Sequence, residues 1–432
     1  MLAELVVTPI SFAVNRIVEI PGSKSLTNRA LLLAAMADAP VRILYPLFSE
    51  DTHAMMGCLR TLGVTCHQTA SCLEVYGPVW ATASSCTLDA DLSGTTARFL
   101  LALCAILPGT QVLDGKEGLR RRPIADLVEA LRSRGAAISY LEKEGHLPVS
   151  IASSTLSPGH VQVSGQVSSQ FLSALLMIAP RAGGFEVEVQ GGLVSSPYVD
   201  LTIEAMKQFG VSVEQKAGSR FSVPAQTIRA NEIIVEGDLS SAGYFLAIAA
   251  LTRSTITLKN VNLASKQADV RFAHILACMG NQIDSDERSM TIRGIGVEPI
   301  DVNMEECPDQ IPTLAVLAAF ADGTTRIEGI RSLRVKETDR VFALQQELAK
   351  MGISTEVFKD TLLIHGGAPR AATIDTYGDH RMAMSFAVAA AHLPGMVMRD
   401  PEVVAKTFPG FWDQLARLGV GLHRKESLPC LI

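Results

Sequence analysis

The chain has 432 residues, of which 48% are apolar and only 5% aromatic, and its formal net charge at pH 7 is −6. This length exceeds what one hydrophobic core usually supports, so it predicts two or three domains. The acidic balance disfavours a nucleic-acid-binding protein, because such proteins usually carry a basic block. The N-terminus lacks a signal-peptide pattern and the cysteines lack zinc-like spacing, so we expect a soluble, reduced, cytoplasmic protein.

Six short apolar segments recur along the chain, each opened by a small polar or acidic residue. In chain order the opening residues are Ser25, Thr95, Ser169, Ser241, Asp309 and Asp379. We predict a helix in each segment with the opening residue as its N-cap, since Ser, Thr and Asp cap helices well. The step of roughly 70 residues is longer than a solenoid repeat and fits a complete α/β unit with two helices.

A second series keeps the same step, and in it an amphipathic run ends at a glycine. These glycines are Gly63, Gly135, Gly210, Gly280, Gly352 and Gly419. Glycine is the expected stop because it enters the left-handed conformation without a Cβ clash. Between the helices lie β-rich stretches bounded by turn residues: VRILYPL, QVLDG, VQVSG, FEVEVQGG, EIIVEG, TITLKNV and TTRIEGI. Each copy therefore reads as strand, helix, strand, helix and hairpin.

The six copies form two predicted domains of three copies each. The first domain covers residues 21–230, and the second combines residues 231–432 with residues 1–20. The N-terminal strand ELVVTPI is assigned to the second domain, so the chain would cross between the domains twice. A cleft between two such domains is a common place for a ligand site.

Cationic side chains recur beside the predicted helix starts. They are Lys24, Arg29, Arg98, Arg122, Lys336, Arg340, Arg381 and Lys406. A helix N-terminus presents free N–H groups and the positive end of the helix dipole, so it attracts anions. Many cations with a few acids predict a ligand that bears phosphate and carboxylate groups. For any single copy, ordinary capping beside a solvated surface charge is the alternative interpretation.

Seven motifs closely resemble the enolpyruvylshikimate-phosphate synthase family, in order and over essentially the whole chain. They are PGSKSLTNRALLLAA, SSQFLSALLM, SSPYVDLTIEAMKQFGV, VEGDLSSAGYFLA, LRVKETDR, GDHRMAM and KTFPGFW. The resemblance implies an inside-out α/β barrel of two domains, each with three βαβαββ repeats, and an active-site cleft between them. It also implies transfer of the carboxyvinyl group of phosphoenolpyruvate to the 5-hydroxyl of shikimate 3-phosphate with release of phosphate, in the shikimate pathway to aromatic amino acids.

The resemblance also implies the roles of individual residues. The phosphoenolpyruvate set is Lys24, Gly94, Arg122, Gln170, Arg340, Arg381 and Lys406. The shikimate 3-phosphate set is Ser25, Arg29, Ser168, Ser169, Tyr198, Asp309 and Lys336. The acid–base candidates are Lys24, Asp309 and Glu337, with Asp309 expected as the base and the other two sharing the acid role. Carboxylates crowded by cations normally have lowered pKa values, so an acid among them would need burial or a proton relay.

No metal or organic cofactor motif appears, and none is expected for this chemistry. The implied partners are the two small-molecule substrates, without nucleic acid or membrane, and the chain is expected to be a monomer. The sister transferase family that acts on UDP-N-acetylglucosamine carries a reactive cysteine loop in its second repeat, and the stretch DGKEGLRRRPI has no cysteine. That absence counts strongly against the sister family.

Two places depart from the family pattern, and the first is Ser332, where many relatives have Asn. Asp91 and Leu92 stand where relatives usually have Gly-Asn before the second helix. The departure is either neutral drift or a sign of altered function. The alternative function is therefore a catalytically weakened or acceptor-altered relative, which acts as a binding protein or on another hydroxyl acceptor.

Overall fold

The protein is described here by a computed structural model over residues 3–79, 85–152, 155–193, 196–216 and 219–425. Its packing divides the chain into two compact units. The central unit runs from Gly22 to Glu236, and the terminal unit combines the chain up to Pro21 with the chain from Gly237 onward. The domain bounds given above, 21–230 and 1–20 plus 231–432, stay a prediction.

The helices and strands follow one another in the repeating order predicted from the sequence. The helices are α1 (Lys24–Ala35), α2 (Glu50–Thr61), α3 (Gly94–Cys104), α4 (Glu117–Arg120), α5 (Ala125–Arg132), α6 (Ser169–Ile178), α7 (Pro197–Gln208), α8 (Leu239–Thr252), α9 (Val270–Cys278), α10 (Ile311–Ala318), α11 (Arg340–Lys350), α12 (His380–Ala390) and α13 (Phe411–Leu418). The strands are β1 (Glu4–Thr8), β2 (Asn15–Glu19), β3 (Val41–Leu44), β4 (Thr65–Gln68), β5 (Cys72–Tyr76), β6 (Cys86–Asp89), β7 (Thr110–Asp114), β8 (Ala137–Tyr140), β9 (Val149–Ala152), β10 (Gly159–Ser164), β11 (Gly184–Gln190), β12 (Glu214–Lys216), β13 (Arg220–Pro224), β14 (Glu232–Ile234), β15 (Thr255–Lys259), β16 (Gln282–Ser285), β17 (Ser289–Arg293), β18 (Asp301–Asn303), β19 (Thr324–Glu328), β20 (Ser354–Phe358), β21 (Thr361–His365), β22 (Thr373–Ile374), β23 (Val397–Arg399) and β24 (Gly421–Lys425).

These strands form four-stranded sheets of one design, three within each unit. In the central unit the strand orders are β14–β3–β5–β4, β6–β7–β9–β8 and β10–β11–β13–β12. In the terminal unit they are β2–β15–β17–β16, β18–β19–β21–β20 and β22–β23–β1–β24. The first two strands of each sheet are parallel and the others pair antiparallel, as in β6, β7, β9 and β8. This is the βαβαββ pattern expected for each copy.

The N-terminal strands complete sheets whose other strands come from the last part of the chain. Strand β1 lies antiparallel between β23 and β24. Strand β2 pairs parallel with β15, with Val18 opposite Leu258. All seven β-rich stretches picked out in the sequence contain a strand, so those predictions are confirmed.

The helix that opens each copy is buried on nearly every side, whereas the second helix buries one face. Every residue of α8 from Leu239 to Leu251 is buried. In α13, by contrast, Leu415 and Leu418 are buried while Arg417 faces solvent. A helix that is apolar all round belongs in a core, and an amphipathic one belongs at its edge. None of the helices that the structure describes is long and apolar enough to span a membrane.

The six predicted glycine stops are confirmed. Their φ angles lie between 72° and 102°, in the region that favours glycine. The predicted N-caps are mostly wrong, because only Asp379 occupies its cap position. The observed caps are Ser23, Ser93, Ser168, Asp238, Gln310 and Asp379.

Four of the five displaced caps have a common cause, and Gln310 is the exception. In these four, a small polar residue that lies earlier in the chain has extended backbone and accepts a bond from the first turn, so the helix begins sooner. Ser93 accepts from the Thr96 amide, and Asp238 accepts from the Ser241 amide at 2.8 Å. The predicted opening residues therefore lie inside the first turn or, for Asp309, in a 3₁₀ turn before α10.

Candidate active site

Lys24 is the first residue of α1, and its ammonium is held by a carboxylate of the next helix. Its Nζ lies 3.1 Å from Oδ2 of Asp51, whose side chain is only 6% exposed. Ser25 follows in the same first turn and is half-buried. Lys24 and Ser25 thus stand together at the start of α1. Asp51 was not among the sequence-predicted site residues.

Arg29 is the most deeply buried cation of the central unit and joins α1 to α7. Its Nε donates to Oγ1 of Thr202 at 2.8 Å, and its Nη2 donates to the carbonyl of Tyr198 at 3.1 Å. Its Nη1 donates to the carbonyl of Ser25 at 2.9 Å. Burial lowers the pKa of Arg29 to about 10, so it remains a cation near neutral pH. The structure thereby brings three members of the predicted shikimate 3-phosphate set into one network.

Gly94 begins α3, and a guanidinium lies directly over it. A Cβ placed on Gly94 would come within 2.9 Å of Nη1 of Arg122 and 3.4 Å of Nη1 of Arg98. Only a residue without a side chain leaves both guanidinium groups this close to the helix start. The dipole and free N–H groups of α3 point toward the same place, which suits an anionic ligand.

Side chains also join the starts of α3 and α6. Gln170 accepts from Nη1 of Arg98 at 2.6 Å and donates to Oγ1 of Thr95 at 3.0 Å. Ser168 caps α6, and Ser169 is its buried first residue. Five residues of the two predicted substrate-binding sets thus lie at or beside the starts of α3 and α6. They are Gly94, Arg122, Gln170, Ser168 and Ser169.

In the terminal unit, Arg340 is the centre of a second cluster. The guanidinium is 1% exposed and binds Asp379 through two bonds, Nε to Oδ2 at 2.7 Å and Nη2 to Oδ1 at 3.2 Å. Its Nη1 donates to Oδ1 of Asp309 at 3.1 Å, and its Nη2 donates to Oε2 of Glu337 at 2.8 Å. Burial alone would lower the pKa of Arg340, but the carboxylates of Asp379, Glu337 and Asp309 together raise it.

Three further cations surround the same carboxylates. Arg381 donates to Oδ2 of Asp309 at 2.8 Å. Lys406, which ends a 3₁₀ turn, donates to Oε1 of Glu337 at 2.9 Å. Lys336 has its Nζ 3.5 Å from Oδ1 of Asp309. The structure therefore brings together all six predicted site residues of this unit, with Lys336 at the edge of the cluster. They are Asp309, Lys336, Glu337, Arg340, Arg381 and Lys406.

Burial shapes the electrostatics of this cluster. It lowers the pKa of Lys336 despite the nearby Asp309 carboxylate. It raises the pKa of Tyr244, whose hydroxyl accepts from Nη1 of Arg381 at 3.2 Å, to about 12. Four cations with three carboxylates leave an excess of positive charge, so the cluster is suited to bind an anion.

Sequence reasoning missed four residues that hold the predicted ones. They are Asp51 beside Lys24, Thr95 beside Gln170, Tyr244 beside Arg381, and Asp379 beside Arg340. Asp379 and Thr95 had been singled out only as helix openers. Asp51 lies in EDTH, where a carboxylate in the first turn of α2 was the available signal, whereas Tyr244 lies inside the apolar helix α8.

Six α/β copies in two units, with arginines and lysines gathered at helix starts, define a protein built to bind small polyanions. The same fold occurs in a solved structure of EPSP synthase from Acinetobacter baumannii. That comparison has a TM-score of 0.83 at 25% sequence identity and covers 98% of this chain and 100% of the other.

The family model EPSP synthase (3-phosphoshikimate 1-carboxyvinyltransferase) matches residues 9–415, and the chain belongs to this family. A 3-phosphoshikimate 1-carboxyvinyltransferase of Burkholderia multivorans is 43% identical over 93% of this chain and 96% of its own length. One from Photobacterium profundum is 40% identical over 96% of this chain and 99% of its own length. The resemblance found in the motifs, and the fold that it implied, are confirmed.

Proposed function

We propose that this chain transfers the carboxyvinyl group of phosphoenolpyruvate to the 5-hydroxyl of shikimate 3-phosphate and releases phosphate. Family membership over residues 9–415 supports this reaction. The observation that carries the proposal is the terminal-unit cluster, in which Arg340, Arg381, Lys336 and Lys406 outnumber their carboxylates. Phosphoenolpyruvate bears a carboxylate and a phosphate, the two groups that guanidinium forks bind bidentately.

We assign the binding of phosphoenolpyruvate to the seven residues that the motifs imply. They are Lys24, Gly94, Arg122, Gln170, Arg340, Arg381 and Lys406. The position of Arg122 over Gly94 supports this assignment, because the bare helix start and the guanidinium would share one anion. The ion pairs that Arg340 and Lys406 now make with Glu337 would be redistributed when an anionic substrate competes for them.

We assign shikimate 3-phosphate to a second set of residues. They are Ser25, Arg29, Ser168, Ser169, Tyr198, Asp309 and Lys336. The hydroxyls of Ser25, Ser168 and Ser169 stand at helix starts, where a phosphate is stabilised by backbone N–H groups. Arg29 would act through its buried contacts, by holding the start of α1 against α7.

The reaction proceeds by addition and then elimination. In the addition, the acceptor oxygen bonds to C2 of phosphoenolpyruvate, its proton passes to a base, and C3 gains a proton to become a methyl group. In the elimination, the bond from C2 to the phosphate oxygen breaks, phosphate leaves, and the methyl group returns one proton. The product is an enol ether.

Asp309 is our candidate for the base. Arg340 and Arg381 hold its two oxygens at 3.1 Å and 2.8 Å, which fixes the direction of the carboxylate. Lys24 and Glu337 are the candidates for moving the proton at C3. The Glu337 side chain is 14% exposed and is held by Lys406 and Arg340, so it is fixed in position with limited contact with water.

The test is phosphate release by the purified chain with both substrates, compared with either substrate alone. Lys24→Met should lower turnover by at least about a hundredfold, the lower range for loss of a positioned acid or base. The fold should survive, with a melting temperature lowered by loss of the Lys24–Asp51 ion pair. Lys143→Met, in an exposed turn of the same unit, is the matched control and should retain wild-type turnover.

Two outcomes would contradict these assignments. No release of phosphate by the wild-type chain would refute the reaction. Wild-type turnover in Lys24→Met would remove Lys24 from the mechanism. A monomeric state and a cytoplasmic location stay predictions from the sequence.

A further inference from the structure

A fully buried carboxylate lies two helical turns beyond Arg340 on the same face of α11. Glu347 is 0% exposed. Because seven residues make two turns, Arg340 and Glu347 point to the same side of the helix. Arg340 belongs to the cluster described above, whereas the hydrogen-bond partners of Glu347 within the described part of the chain lie outside that cluster.

Glu347 instead binds the segment that leads into α12. Its Oε1 accepts from the hydroxyl of Tyr377 at 2.6 Å. Its Oε2 accepts from the amide of Asp375 at 3.1 Å and from Nζ of Lys350 at 2.8 Å. Lys350 also reaches Oδ2 of Asp375 at 2.6 Å. Helix α11 thus holds both ends of this segment. Glu347 binds its first residues, and Arg340 binds Asp379 at its end.

The held segment has an unfavourable backbone conformation. Tyr377 has a φ of 55° and Gly378 a φ of 64°, so two successive residues are left-handed. Glycine takes this conformation readily, but a bulky side chain such as tyrosine does so only when its surroundings enforce it. Asp379, the cap of α12, and Arg381 in the first turn follow directly.

The phenol group of Tyr377 is suited to enforce this left-handed conformation. Burial and then the Glu347 carboxylate raise the pKa of Tyr377, so the hydroxyl stays protonated and remains a donor over the whole working range of pH. A hydrogen bond to a buried carboxylate is among the stronger ones that a protein can form.

We propose that the Tyr377–Glu347 hydrogen bond positions the start of α12, so that Asp379 orients Arg340 and Arg381 points at its ligand. Tyr377 and Glu347 are positioning residues in this proposal, because they act through Asp379 and Arg381. The inference rests on the proposed function, in which Arg340 and Arg381 bind phosphoenolpyruvate.

The test compares three substitutions of Tyr377. Tyr377→Phe removes only the hydroxyl, and it should raise the KM for phosphoenolpyruvate roughly tenfold, the effect expected when a hydrogen bond to a charged group is lost. Turnover at saturation should change less. Tyr377→Ala should raise this KM further. Tyr377→Gly should recover part of that loss, because glycine adopts the left-handed conformation without the hydroxyl.

The glycine rescue separates positioning from general destabilisation. At an ordinary position glycine is the more disruptive replacement, so a merely structural role would place Gly below Ala in both melting temperature and activity. Tyr76→Phe is the matched control, because Tyr76 donates to Oε2 of Glu74 at 3.0 Å from an exposed position of the central unit. It should leave both Michaelis constants unchanged.

Calorimetric titration of phosphoenolpyruvate provides a readout that needs no turnover. Weaker binding in Tyr377→Phe, with Tyr377→Gly tighter than Tyr377→Ala, would support the proposal. Wild-type affinity in Tyr377→Phe and Tyr377→Ala, or glycine as the weakest of the three, would overturn it. A wild-type chain that binds phosphoenolpyruvate but releases no phosphate with shikimate 3-phosphate would refute the proposed reaction and leave this binding test decisive.

Discussion

The buried carboxylate of Asp269 makes the stability of the terminal unit depend on pH. Asp269 is 4% exposed, and its Oδ2 accepts from the hydroxyl of Ser240 at 2.8 Å. Burial, and then the negative charge of Asp309, raise its pKa from 3.8 to about 6. The folded state therefore disfavours the ionised form of Asp269, which it must hold at neutral pH.

The direction of the effect follows from linkage. A carboxyl whose pKa is raised by folding contributes stability below pH 3.8, and this contribution is lost as the pH rises through about 6. From these values the loss amounts to roughly 2 kcal/mol at pH 5 and about 3 kcal/mol at pH 8. Asp269→Asn cannot ionise and can still accept from Ser240. Between pH 5 and pH 8 it should gain roughly 1 kcal/mol in unfolding free energy relative to the wild type.

The assay is urea unfolding of both proteins at several pH values and constant ionic strength, followed by circular dichroism. Asp284→Asn, at an exposed position of strand β16, serves as the control for an aspartate-to-asparagine change outside the buried site. A difference for Asp269→Asn that stays constant from pH 5 to pH 8, or that shrinks, would refute the reasoning. If the difference in unfolding free energy rises with pH as expected but is shifted by a constant amount, the shift reports only the cost of burying the asparagine amide.

Two further predictions concern the start of α3. Gly94→Ala should displace the Arg122 guanidinium, since the new methyl group would lie 2.9 Å from its Nη1, and should raise the KM for phosphoenolpyruvate roughly tenfold with the fold intact. An unchanged KM would place that guanidinium outside the substrate site. Restoring the family pattern by Asp91→Gly with Leu92→Asn should change this KM less than about threefold, because Asp91 is already paired with the exposed Lys116 and such pairs contribute little. A tenfold fall in KM would instead show that the Asp91 carboxylate acts on the substrate.

The sequence was most informative where the structure is local and repeated. Glycine stops such as Gly63 follow from one residue's conformational freedom, and strands such as β11 follow from alternation within seven residues. The caps were harder, because Ser23 and Ser25 are both good cap residues. The choice between them depends on whether the backbone before the helix is extended.

The partners of the site residues were beyond a reading of the sequence. Arg340 was predicted as a substrate ligand, but its bidentate bond to Asp379 joins residues 39 positions apart. Glu347 resembles any solvated glutamate of an amphipathic helix, and only the folded chain shows it buried against Tyr377. Such contacts depend on how two copies pack against each other, and the residue spacing within one copy does not predict that packing.

The departure at Asp91 and Leu92 illustrates how a local change is absorbed. Asp91 has a φ of 51°, a conformation that suits the glycine usual in relatives and that aspartate tolerates better than most residues. Its carbonyl accepts from the amide of Lys116 at 2.8 Å, and its carboxylate lies 2.8 Å from Nζ of the same lysine. Gly118 leaves room for the Leu92 side chain, since a Cβ there would come within 3.1 Å of Cδ2. The segment that leads to Arg122 thus accommodates both replacements, since Lys116 binds Asp91 and Gly118 leaves space for Leu92. This explains why a negative charge beside the proposed anion-binding helix start need not weaken the site, and it favours neutral drift over altered function.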